Sequence, residues 1–93
     1  MEGEKREEAL FSLMQKLIEI PSVTGSSAVA DAMEYIESWF EAEGIRTERI
    51  ISRGVVNLIA GVGQKENAPT ILWNAHVDVV PPGDAVRWDY PPF

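Results

Sequence analysis

The sequence predicts a layered α/β unit in which two helices are followed by three strands. Three observations point to it. Apolar residues in the first half recur at helical spacing, and the second half changes to two-residue alternation rich in β-branched residues. The last apolar run, Thr70 to Val80, begins apolar on both faces, as a strand inside a covered sheet does.

The first helix is expected over Glu4 to Ile20. Leu10, Leu13, Met14, Leu17 and Ile18 fall at the i, i+3, i+4, i+7 and i+8 positions of one stripe. Glutamates occupy its first turns, where the positive end of the helix dipole favours them. Pro21 cannot continue a helix, so Pro21-Ser22-Val23-Thr24-Gly25 reads as a loop. A second helix then starts at Ser26 or Ser27, either of which offers an oxygen to cap free amides. Val29, Met33, Ile36 and Phe40 carry its stripe, with Ala32 and Trp39 beside it, and Gly44 is the natural residue to end it.

After Gly44 the period shortens. Ile45 to Ile51 reads as a strand, Arg53-Gly54 as a turn and Val55 to Val62 as a second strand, a short enough link for a hairpin. A polar connection, Gly63 to Pro69, leads to the third strand, Thr70 to Val80, which Pro81-Pro82-Gly83 stops. Two helices cover one face of such a sheet, and nothing in the chain covers the other. The 93 residues therefore read as one incomplete domain, the beginning of something larger.

Composition narrows the function classes. The chain is 45% hydrophobic and 25% charged, the mixture of a globular protein. Its net charge of −7 argues against nucleic-acid and anionic-membrane partners, which require a basic face. With no cysteine there is neither a disulfide framework nor a thiolate metal site. No apolar run approaches the roughly 20 residues of a membrane span, and the acidic start is unlike a signal or transit peptide. A cytoplasmic location is the default expectation.

Chemistry concentrates in Ile71 to Asp84, ILWNAHVDVVPPGD. On a strand, Asn74, His76 and Asp78 share one face, and Trp73, Ala75, Val77 and Val79 share the other. A buried strand of this kind delivers polar groups to the rim of a sheet. A lone histidine on a strand is more often a hydrogen-bonded structural residue than a ligand, and Asp78 alone reads as a strand-end carboxylate. Asn74 suits a bond to neighbouring backbone better than a role in a site. Trp88 and Phe93 suit packing beneath a loop better than ligand contact.

The run NAHVDVVPPGD, followed by Trp88 and Pro92-Phe93, resembles the first metal-site motif of the M20 metallopeptidases, the family of acetylornithine deacetylase, succinyl-diaminopimelate desuccinylase, aminoacylase and carboxypeptidase G2. Ile20 to Gly25, Gly44 and Val56-Asn57-Leu58-Ile59-Ala60 fit the same pattern, so the resemblance spans nearly the whole chain. It implies an αβα zinc-peptidase sandwich, of which residues 1–93 are the N-terminal portion of the catalytic domain. It also implies a centre of two zinc ions, with cobalt able to substitute, that hydrolyses N-acyl amino acids or peptide-like amides. His76 resembles a zinc ligand, and Asp78 resembles the catalytic-site aspartate that orients it.

The family's bridging aspartate, general-base glutamate and second histidine have no counterparts in these residues. A catalytic zinc needs about three protein ligands, and only Asp84 and Asp89 remain near His76 in sequence to assist it. The expectation is therefore an isolated chain that is inactive and binds zinc weakly. The alternative is a non-catalytic product that associates with itself or with a complementary chain.

Overall fold

Helix α1 spans Glu2–Glu19 and helix α2 spans Ala28–Ala42. Strands β1, Thr47–Ser52, and β2, Val55–Ala60, follow, and a single 3-10 turn covers Ala85–Arg87. These elements come from a computed structural model that describes residues 2–63 and 65–93. Met1, ahead of the first helix, and Gln64, within the polar connection, lie outside the described residues.

The helix boundaries follow from local chemistry. Pro21 closes α1 within two residues of its last turn. The start of α2 falls where expected but lacks the expected side-chain cap. Ser27 is its N-cap, yet its side chain makes no capping bond, because the residue is already in the helical region at φ −64° and ψ −22°. A capping hydroxyl reaches the free amides from extended backbone. The end of α2 follows expectation closely. Gly44 N–H donates to Glu41 O at 3.0 Å and Ile45 N–H donates to Phe40 O at 2.9 Å, with Gly44 at φ +73°. This paired closure is a Schellman motif, and glycine suits its left-handed residue.

The predicted hairpin is present. β1 and β2 pair antiparallel from Thr47↔Ala60 to Ser52↔Val55. Arg53 and Gly54 between them have φ of 53° and 78°, the doubly positive pattern of a type I′ turn. Residues directly opposite share a face, so Thr47, Arg49 and Ile51 lie with Ala60, Leu58 and Val56. The alternating burial of β2 makes this the better-covered face, with α2 over it, although Ile51 beside the turn is 66% exposed.

Arg49 ties the two layers together. Its Nε donates to Glu37 Oε2 at 2.6 Å and its Nη2 donates to Glu37 Oε1 at 2.7 Å, a bidentate pair between β1 and α2. The core itself is thin: among the described residues Ala32 of α2 is the buried hydrophobic one, at 1% exposure. On the far face of the hairpin Ile50, Val55 and Ile59 are exposed. The stripe of α1 is only partly covered, with Leu13 and Leu17 half-buried and Leu10, Met14 and Ile18 exposed.

The expected third strand is not part of the sheet, which among the described residues has two strands. Thr70 to Val80 makes a single parallel bridge, Val79 with Val23. A strand exists through its ladder and through packing on its faces. Here Ile71, Leu72 and Trp73 are 81%, 85% and 89% exposed, so neither is supplied. The observed architecture is accordingly α/β with a two-stranded hairpin, and the three-layer αβα arrangement is not formed among the described residues.

Candidate metal-ligand site

The bridge at Val79 locates the site. Val79 N–H donates to Ser22 O and Thr24 N–H donates to Val79 O, both at 2.9 Å, so the loop after α1 and the motif segment run in register. Ser22, 3% exposed, donates its hydroxyl to Val77 O at 2.8 Å. Thr24 Oγ1 donates to Asp78 Oδ2 at 2.7 Å and lies 3.2 Å from Val79 O. The segment that joins no sheet is thus clamped at its polar end by the residues that follow Pro21.

His76 and Asp78, expected together on one strand face, do lie together. His76 Nδ1 is 3.1 Å from Asp78 Oδ1 and 3.0 Å from Asp78 O. Both partners are acceptors, so the proton of a neutral ring belongs on Nδ1, which leaves Nε2 as the nitrogen available to a metal. A ligating histidine has this arrangement: one nitrogen outward, the other held by a carboxylate. The imidazole side chain is 83% exposed and the carboxylate 38%. The Thr24 hydroxyl, chiefly, and the neighbouring His76 hold the Asp78 carboxyl below its ordinary value.

The other candidates take no part in the His76–Asp78 contact. Asp84 Oδ1 accepts from Val86 N–H at 3.1 Å and caps the 3-10 turn. Trp88 Nε1 donates to Pro82 O at 2.9 Å, and its side chain is half exposed. Among the described residues no three His, Asp or Glu side chains converge in a way that would hold a metal ion. The residues present therefore fit one ligand and its support, not a metal centre. An open apolar groove of about 600 Å³ lies beside His76, walled by Leu17, Ile18, Val77, Trp88 and Phe93.

Sequence reading missed Ser22 and Thr24. In a loop after proline they are ordinary turn residues, and their partners lie 54 and 55 residues away. The one available signal was that Ile20 to Gly25 belongs to the same family pattern as the histidine motif.

Comparison with known proteins agrees with that pattern. The chain is 38% identical over 87 residues, 89% of its length, to the succinyl-diaminopimelate desuccinylase of Xanthobacter autotrophicus. The desuccinylases of Blochmanniella pennsylvanica and Dinoroseobacter shibae are 37% and 35% identical over 91% and 88% of the chain. Over most of its length the chain is thus similar to curated succinyl-diaminopimelate desuccinylases. It spans about a fifth of the length of these relatives, at 22%, 22% and 21%. No family model and no solved structure matches it. Among the described residues no helix is long and apolar enough to cross a membrane.

Proposed function

We propose that this M20-related sequence supplies one corner of the metal site of an amidohydrolase that cleaves an N-acyl amino acid or a peptide-like amide. The His76–Asp78 contact carries the reading. It occurs in a sequence related to desuccinylases, and it has the geometry a ligating histidine requires. In the whole enzyme His76 would hold one metal ion, zinc by family resemblance, through Nε2. Asp78 would fix the ring and raise its basicity. The remaining ligands and the base would come from residues outside this chain, which forms the N-terminal portion of the catalytic domain. A cytoplasmic setting suits a small acyl amino acid substrate.

A chimera tests the reading. This sequence replaces the matching stretch of the Xanthobacter desuccinylase, and metal content and amide hydrolysis are measured together. The chimera should be active, His76→Ala should lose bound metal along with activity, and Asp78→Asn should lose roughly 10- to 100-fold. An active chimera indifferent to His76→Ala would sink the proposal.

A second reading rests on Ile71, Leu72 and Trp73, an apolar run more than four-fifths exposed. On its own the chain associates through this segment with a further copy or with a complementary chain.

A further inference from the structure

We infer that Thr24 is a positioning residue for the candidate ligand: its hydroxyl sets the rotamer of Asp78, and through it the tautomer and aim of His76. The inference rests on the proposed role of His76 for its meaning, but its geometry stands alone. The two Asp78 oxygens are divided, Oδ2 taking the Thr24 hydroxyl at 2.7 Å and Oδ1 facing His76 Nδ1 at 3.1 Å. A carboxylate with one partner rotates freely about its terminal bond, whereas one held from both sides presents a fixed oxygen to the ring. Thr24 is suited to hold it, because a β-branched side chain is stiff about χ1. Its backbone is anchored as well: Thr24 N–H is bonded to Val79 O at 2.9 Å, one residue beyond Asp78.

The neighbouring contact shows that this goes beyond loop anchoring. Ser22 also crosses between the segments, but its hydroxyl ends on the Val77 carbonyl at 2.8 Å and does not touch the carboxylate. The loop's side chains thus reach the Val77 and Val79 carbonyls and, from Thr24 alone, the Asp78 carboxylate. Ser22 holds only the chain, whereas Thr24 holds the chain and the functional group. Ser22 and Thr24 flank Val23, the residue bridged to Val79.

The test reads the imidazole directly in the full 93-residue chain, by nitrogen-15 NMR of His76 at an alkaline pH where the ring is neutral. Wild type should be mainly the Nδ1–H tautomer. Thr24→Val, which keeps the branching and removes the donor, should lower the ratio of Nδ1–H to Nε2–H by roughly three- to tenfold, the span of one hydrogen bond's net contribution. Thr24→Ser should restore it, and Ser22→Ala should leave it near wild type. An unchanged ratio in Thr24→Val, an equal change in Ser22→Ala, or no rescue by serine would each overturn the inference. No metal or activity enters these measurements, so failure here is separate from failure of the proposed function.

Discussion

Zinc titration of the isolated chain probes the candidate site most directly. A four-ligand structural zinc site is worth roughly 10–16 kcal/mol in apparent terms, so one ligand of four carries about 3–4 kcal/mol. Among the described residues His76 converges with no group able to complete such a set, and Asp84, a possible helper by sequence, is engaged at the 3-10 turn. About 3–4 kcal/mol corresponds to a Kd on the order of millimolar. Calorimetry of the dilute chain near neutral pH should therefore show weak, unsaturated heats, and His76→Ala should remove most of them. Asp78→Asn should weaken them further, since it leaves the ring unsupported. One zinc bound per chain at micromolar Kd or tighter would refute the reasoning, because a single imidazole cannot supply that energy.

Further outcomes follow from the same structure. Gly44→Ala should destabilise the end of α2 by about 1 kcal/mol, read as a lower urea midpoint by circular dichroism. A Cβ there meets nothing within 4 Å, so the cost comes from φ +73° and not from a clash. Gly44→Asn should cost less. Arg49 holds the Glu37 carboxyl below its ordinary value. The pair's contribution is therefore full above the ordinary glutamate range and is lost as pH falls through the lowered value. Acid titration of stability, read as the urea midpoint by circular dichroism, should show this loss in wild type and not in Glu37→Gln, and the effect should shrink in salt. Sedimentation velocity should show apparent mass rising with concentration, and Trp73→Glu should reduce the rise; a monomer at all concentrations would exclude association through Ile71 to Trp73.

Residues whose structure is decided nearby in the chain were legible in the sequence. The stripe of α2, the glycine closure at Gly44 and the two-residue turn at Arg53-Gly54 each depend on neighbours within a few positions, and each is found. His76 and Asp78 were legible as a pair for the same reason, being two residues apart. The Ser27 cap failed on a local detail, a backbone already helical where capping needs it extended.

The third strand shows where sequence stops. Alternation and β-branching say that Thr70 to Val80 suits a sheet, but a strand also needs a neighbouring edge and a covering layer, and those are tertiary facts. Only the Val79 end finds an edge, against Val23. The same holds for the support behind the site. Sequence alone determined the local helices, the hairpin and the His76–Asp78 pair. Tertiary structure decided that Ser22 and Thr24 grip the motif from more than 50 residues away, because hydrogen bonds that close so long a loop depend on where the chain folds back and leave no periodic mark in the residues that make them.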